Sequence, residues 1–370
     1  GLLVDNDIRG SSEPLLSLVR ANNITQAALV LVLFFGGLTT NWSRMKAVVQ
    51  SAARLATVGV LITAGLISLF VIGILQLEGR WDPALMAKVL FIGAMLSSTD
   101  ASAALSLLRP LAGRMPQKVL DLIEVESTIN DPMAVVLAGL ALALAGGEGI
   151  ATEALVTDVV RQFLLGGLLG FIGGSLISQL LRGSSSLNRG SMLPVVSLAL
   201  LLVLSGGTTV MGGSPLLAAY VAGLVLGNGT STDQQVLEEA HSSFAKMAEL
   251  MLFLCLGLVV EPNDVVRAAG LALALFVAMQ LVRWLMVQVL MLRSSFSPKE
   301  RRFICWTGLR GAVPIAMAIQ AWNSTASWGK LMPPLALSVV LLGLLIQGFA
   351  LVPIAHRLGL VLPSDEGQPT

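Results

Sequence analysis

The chain is a succession of apolar runs, each close to the length that crosses a lipid bilayer. At about 17 to 25 residues per crossing, about eleven are expected, at 24–40, 52–77, 84–108, 117–145, 158–182, 191–206, 212–227, 242–260, 264–292, 299–322 and 332–355. The sixth and seventh are short and share the Gly-rich join SGGTTVMGGS, the least defined boundary. Composition agrees: 55% of the 370 residues are hydrophobic and 12% charged, and mean hydropathy is +0.83. Such values point to an all-α polytopic membrane protein, with the bilayer as its partner, and away from a soluble enzyme or a nucleic-acid binder.

Lys and Arg accumulate in cytoplasmic connections. One set of alternate loops holds Arg44, Lys46, Arg54, Arg109, Arg114, Lys118, Arg182, Arg189, Lys246, Arg293, Lys299, Arg301, Arg302 and Arg357, fourteen of the 23 basic residues. The opposite loops carry Arg9, Arg20, Arg80, Lys88, Arg161, Arg267 and Lys330. The carboxyl end is therefore expected in the cytoplasm and VDNDIRGSSEP outside. Gly1 and its apolar neighbours read as the tail of a helix already in progress, and PSDEGQPT as a linker leaving the membrane. Residues 1–23 are thus expected to be a helix end plus an external loop, 24–355 the transmembrane domain, and 356–370 a cytoplasmic tail. Cys255, Cys305, His241 and His356 lie in or beside apolar runs and are given no role; neither a disulfide framework nor a histidine metal site is expected.

Polar residues inside the spans carry the functional signal. In GAMLSSTDASAAL the run Ser97, Ser98, Thr99, Asp100 interrupts the third segment, where an unwound helix would offer carbonyl oxygens. The hydroxyls could also bond back to their own helix; Asp100 has no such explanation. The fourth segment contains VESTINDPM. A charge at the centre of a spanning helix costs about 2.5–3.5 kcal/mol on insertion scales and marks a polar interior, a partner or transport. Glu126 and Asn130 stand one turn apart, with Ser127 and Asp131 as the adjacent pair, so all four share one broad face. Pro132 removes the amide that would bond the Thr128 carbonyl and bends the helix beside the charge. Carboxylate, hydroxyl, amide and freed carbonyl are the oxygens a hard monovalent cation wants. Asp131 can hold a cation or a proton, but not both.

Glu126 needs a compensating charge. Arg283, with no acid near it in its own span, can supply a bidentate one. Arg310, flanked by Gly308, Gly311 and Pro314, suggests a second break in the tenth segment. Three transport classes fit these residues: a secondary active antiporter, a passive cation channel, or a carrier of an anionic solute guided by Arg283 and Arg310. A channel would usually show a filter loop, and none is visible.

SSTDA, ESTINDP and GLRGAVP, in that order, resemble the motifs of the monovalent cation/proton antiporters of the first cation-proton antiporter family, the NhaP-type branch. STDASAA followed by ESTINDPMAV is most similar to the bacterial cell-volume-regulation type of potassium/proton antiporter. The resemblance implies about 13 helices with inverted repeats, and two unwound helices crossing at the midplane. It implies a core domain (about 52–182 and 264–355) moving against a dimerisation domain (about 24–40 and 191–260). It also implies a homodimer in a bacterial inner membrane, often with a cytoplasmic regulatory domain beyond the last helix. By motif, Asp131 is the cation and proton carboxylate, Thr99 and Ser127 supply oxygens to the monovalent cation, and Asp100 lies beside the site. Glu126 and Arg283 are the structural ion pair, and Arg310, Pro132 and Pro314 support the helix breaks. Asn130, where electrogenic relatives have a second acid, implies one proton per cation, K+ or Na+, with no cofactor. Two departures stand out: Phe35 occupies a position that is acidic in many members, and Ala101 replaces the proline of TDP, implying a gentler break.

Overall fold

A computed structural model of the chain describes residues 16–41, 46–111, 113–146, 152–183, 192–229, 234–324 and 326–362. The expected initial helix end and external loop therefore lie largely outside the described residues, as does the tail PSDEGQPT. All regular structure among the described residues is helical. The helices are α1 (Leu18–Thr39), α2 (Val49–Arg54) running through a π-helical turn (Leu55–Gly59) into α3 (Val60–Leu77), α4 (Met86–Met95), α5 (Ala101–Leu108), α6 (Gln117–Gly146), α7 (Thr152–Gly183), α8 (Leu193–Val210) and α9 (Pro215–Gly227). They continue with α10 (Gln234–Val259), α11 (Pro262–Leu290), α12 (Pro298–Trp306), α13 (Ala312–Asn323) and α14 (Met332–Gly343), which passes through a second π-helical turn (Leu344–Gly348) into α15 (Phe349–Arg357). Eight helical stretches among the described residues are long and apolar enough to span a bilayer. Large side chains such as Leu69, Val203, Val266 and Phe349 point outward without cover, the pattern of a lipid-facing surface.

Local chemistry sets the helix starts. Ser214 accepts from the Leu217 amide and is followed by Pro215, whose missing N–H is harmless in a first turn. Ser297 and Glu300 form a reciprocal capping box, with Glu300 also paired to Lys118 at 3.0 Å.

Two of the expected spans are interrupted. Met86–Met95 and Ala101–Leu108 are separated by Leu96–Asp100, and Pro298–Trp306 and Ala312–Asn323 by Thr307–Gly311. The first break is complete without a proline, because Asp100 adopts an extended conformation and caps the second half with its carboxylate on the Ala103 amide. The second break ends on Gly311, and Pro314 sits in the first turn of the new half-helix. Helix α6, by contrast, runs uninterrupted through Pro132. The π-helical turn after α14 points Gln347, 2% exposed, at the last carbonyl of α12, which its amide meets at 3.2 Å.

Around these breaks the helices pack closely. Helix α1 lies against α9 and α10, α9 against α7, α4 against α3 and α6, and α11 against α14. The α1–α9 contact is glycine-made: a Cβ on Gly37 would overlap the Tyr220 carbonyl, and one on Gly223 or Gly227 the carbonyl of Phe34 or Leu38. Backbones approach this closely only where no side chain intervenes. Gly166, Gly170 and Gly174 do the same for α7 against Ser214, Ala218 and Ala222.

Candidate functional site

The two breaks touch. The Asp100 amide donates to the Leu309 carbonyl at 2.8 Å, joining the unwound stretches backbone to backbone. Gly311 is required at this contact, because a Cβ there would fall on the Asp100 carboxyl group. Asp100 therefore stands at the start of two half-helices, where the partial positive charge of helix N-termini favours a carboxylate.

Helix α6 passes beside the crossing and hydrogen-bonds to it. Asn130 donates to Thr99 Oγ1 at 2.7 Å and accepts from the Thr99 amide at 3.2 Å, and Thr99 Oγ1 meets Ser127 Oγ at 3.0 Å. Asn130, Thr99 and Ser127 are all buried. The unwound strand is thus clamped by an amide that satisfies both the backbone and the side chain of Thr99.

On one side of this clamp lies a cavity of about 210 Å³, bordered by Phe35, Ser98, Thr99, Asp100, Ser102, Glu124, Ser127, Asp131, Glu249 and Pro314, among others. Every charged residue on its wall is acidic. On the other side of the clamp Glu126 is paired to Arg283. Nη1 of Arg283 hydrogen-bonds Glu126 Oε1, Nη2 lies 2.9 Å from Oε2, and the guanidinium also reaches the Ile304 carbonyl at 3.4 Å. Arg310, 3% exposed, donates to the Gly308 carbonyl at 2.9 Å inside the second break. Neither arginine borders the cavity at Asp131.

Thr99, Asp100, Ser127, Asp131 and Pro314 accordingly face one cavity, while Asn130, Glu126, Arg283 and Arg310 surround a much smaller one behind it. Pro132, buried in α6, borders neither. Among the described residues no group of three or more His, Cys, Asp or Glu side chains is arranged to hold a metal ion. The cavity that Asp131 borders is also lined by the carboxyl groups of Asp100, Glu124 and Glu249 and the hydroxyls of Ser98, Thr99 and Ser127, hard oxygens of the kind a monovalent cation or a proton takes.

Among the cavity residues that the sequence alone does not single out are Ser102 and Glu249. Ser102 sits in the first turn of α5 with its hydroxyl 2.7 Å from Asp100 Oδ1 and 2.9 Å from Glu249 Oε1. Glu249 comes from α10, where it could have been noticed as an acid within an apolar run, SFAKMAELMLFLCLGL. A second cavity of about 300 Å³ lies beyond Asp131 along the same face of α6, bordered by Val135, Gly139 and Ala143 at four-residue steps and by Gln26, Gln162, Ser214 and Gln320 from other helices.

A sequence profile of the sodium/hydrogen exchanger transmembrane family matches residues 1–357. The chain is 31% identical over 348 residues to the K(+)/H(+) antiporter NhaP of Alkalimonas amylolytica, covering 93% of this chain and 58% of that protein. It is 34% identical over 354 residues to the K(+)/H(+) antiporter NhaP2 of Shewanella oneidensis, with 92% and 58% covered, and 26% identical to the Na(+)/H(+) antiporter ApNhaP of Aphanothece halophytica, with 91% and 65% covered. The chain thus spans less than two thirds of the length of these curated relatives. Its fold is similar to that of the sodium proton antiporter MjNhaP1 from Methanocaldococcus jannaschii, with a TM-score of 0.78 over 93% of this chain and 88% of the other at 19% identity.

Proposed function

We infer activity from kinship and geometry together: the chain belongs to the sodium/hydrogen exchanger family, and we propose that it is a transporter, not an enzyme, exchanging K+ or Na+ for a proton. The observation that carries the proposal is Asp131 in a cavity whose charged residues are all acidic, beside two touching helix breaks. Asp131 takes a cation from one face of the membrane and a proton from the other. The cation is held with Thr99, Ser127 and Asp100, and no cofactor takes part. Neutralised in either way, the site crosses by alternating access; a bare carboxylate does not, because moving an unpaired charge through hydrocarbon costs far more. The second cavity, on the far side of Asp131 along α6, supports two alternating entrances.

Asn130 supports electroneutral exchange. It is engaged in both hydrogen bonds to Thr99, leaving Asp131 as the titrating member of the Asn130–Asp131 pair. Glu126 and Arg283 hold the two halves of the site together without touching the cargo. The core domain is proposed as about 52–182 with 264–355 and the dimerisation domain as about 24–40 with 191–260, in a homodimer within a bacterial inner membrane. The carboxyl end faces the cytoplasm, where a regulatory domain would follow. A carrier of anions is disfavoured because neither Arg283 nor Arg310 borders the cavity at Asp131.

The test is flux in proteoliposomes carrying a lumenal pH dye and loaded with acid. Alkalinisation that needs external K+ or Na+, saturates with that cation, and persists when the membrane potential is clamped supports exchange. Non-saturating cation flux without proton movement indicates a passive channel and contradicts it.

A further inference from the structure

The two breaks are built differently. In the first, the carbonyls of Leu96, Ser97, Ser98 and Thr99 accept no backbone hydrogen bond from another described residue. In the second, each carbonyl from Trp306 to Leu309 is occupied. The Gln347 side chain donates to Trp306 at 3.2 Å, the Leu309 amide to Thr307 at 2.9 Å, Arg310 to Gly308 at 2.9 Å and the Asp100 amide to Leu309 at 2.8 Å. Open carbonyls at membrane depth can serve a transported ion, whereas occupied ones fix the backbone that carries them. Three of these four donors belong to the crossing itself. Gln347 reaches in from another span.

The Trp306 carbonyl is among the last of α12, where acceptors lack an intrahelical partner and the partial negative charge of the helix end collects. Gln347, 2% exposed, meets it from the π-helical turn Leu344–Gly348. Such a turn takes in one extra residue, so a continuous α-helix in its place would rotate Gln347 by about 100°. The turn is therefore what aims the carboxamide. It also lies against the other interrupted span, because a Cβ on Gly348 would stand 3.4 Å from Leu107 Cδ1 in α5.

We propose that Gln347 is a positioning residue for the cation site: its carboxamide closes the end of α12 and so holds Leu309, and through Leu309 the backbone of Asp100, in place. This rests on the exchange reading above. Leu309 lies only three residues beyond Trp306, and its carbonyl is the one that joins the two breaks. With Trp306 held, the path from α12 to that carbonyl has a fixed origin. Without the Gln347 donor, a buried carbonyl loses its partner, the last turn of α12 frays or winds on by a residue to find another, and Leu309 carries the Asp100 amide with it. Gln347 touches no transported ion; it acts through Trp306 and Leu309.

The experiment compares wild type, Gln347→Leu and Gln347→Glu in proteoliposomes across a pH series, with amide hydrogen exchange read by mass spectrometry on peptides containing Asp100. Gln347→Leu should raise the cation KM about two- to tenfold, the range that one net hydrogen bond represents, with maximal rate at saturating cation within about twofold. Exchange of the Asp100 amide should quicken severalfold. Gln347→Glu has the same shape but donates only when its carboxyl is protonated. Its KM relative to wild type at the same pH should therefore fall toward one in acid and climb in base, while the ratio for Gln347→Leu stays flat. An unchanged KM and unchanged Asp100 exchange in Gln347→Leu, or the same flat ratio for both variants, would overturn the proposal and leave Gln347 a filler of space. If Gln347→Leu does not fold, the Gln347→Glu ratio decides alone: a slope with pH supports the proposal and a flat line overturns it. If wild type moves no protons, the exchange reading fails instead, and hydrogen exchange at Asp100 still decides whether Gln347 positions it.

Discussion

Arg283 closes on Glu126 across 157 positions of sequence, with Nη2 to Oε2 at 2.9 Å and Nη1 on Oε1, in a site where the two residues are 9% and 2% exposed. Removing one partner of such a pair strands a buried charge, which typically costs 3–5 kcal/mol. Arg283→Ala and Glu126→Ala should each lower the thermal midpoint of the purified protein well below wild type. Glu126→Gln combined with Arg283→Met, which removes both charges, should recover much of the loss. A wild-type midpoint for Arg283→Ala would remove this pair from the account of stability.

The clamp on Thr99 makes a separate prediction. Asn130→Ala leaves the Thr99 amide and hydroxyl without their partner, a loss of about 1–3 kcal/mol, and lets the unwound strand drift from Ser127. Exchange should fall with a raised cation KM, read from initial rates against cation concentration. Asn130→Asp should also be impaired, because a carboxylate can accept from the amide but cannot donate to Thr99 Oγ1. Full activity of Asn130→Ala would show that the clamp is dispensable.

At the crossing itself, Gly311→Ala would drive a methyl group into the Asp100 carboxyl. Overpacking of this kind costs about 1–3 kcal/mol, and displacing a ligand by an ångström can cost about 100-fold in rate. Exchange should be nearly abolished while the protein remains extractable as a folded species by size-exclusion chromatography. Retained exchange would mean that the two breaks separate during transport.

Gly223→Ala tests the scaffold apart from the site. The added methyl meets the Phe34 carbonyl and pushes α1 away from α9, so the thermal midpoint should fall while the cation KM of the surviving protein stays within about twofold. A raised KM without loss of stability would place this helix contact in the ion path.

Much of this architecture can be read from residues alone, because bilayer length and backbone satisfaction leave few choices. The expected segment 117–145 is α6 at Gln117–Gly146, and 264–292 is α11 at Pro262–Leu290. Both helix breaks are marked by polar or glycine-rich interruptions in apolar runs, a local signal. The partner of Glu126 can be guessed because buried charges must be neutralised and few spanning residues could do it. Contacts that depend on tertiary geometry are illegible. The Asp100 amide meeting the Leu309 carbonyl carries no side-chain signature, and Gly37, Gly223 and Gly227 look like any of the 37 glycines until their backbones are seen in contact. Glu249 lies inside the expected segment 242–260, three residues after Lys246, and only the packing of α10 against the breaks places it on the cavity wall.

If one carboxylate serves both ions, cation and proton compete for it. Where Asp131 is mostly protonated, each tenfold rise in proton concentration should raise the apparent cation KM about tenfold by mass action, with maximal rate unchanged at saturating cation. Initial rates over a pH series check this. A pH-independent KM would require separate sites.

Whether Asp131 is the shared carboxylate is decided by following both ions in the same vesicles, radioactive cation and lumenal pH together, for wild type and Asp131→Asn at matched protein density. Cation and proton movement should be coupled near one to one in wild type and both should be absent in Asp131→Asn, which should remain folded by its thermal midpoint. Cation-driven proton movement retained in folded Asp131→Asn would contradict it.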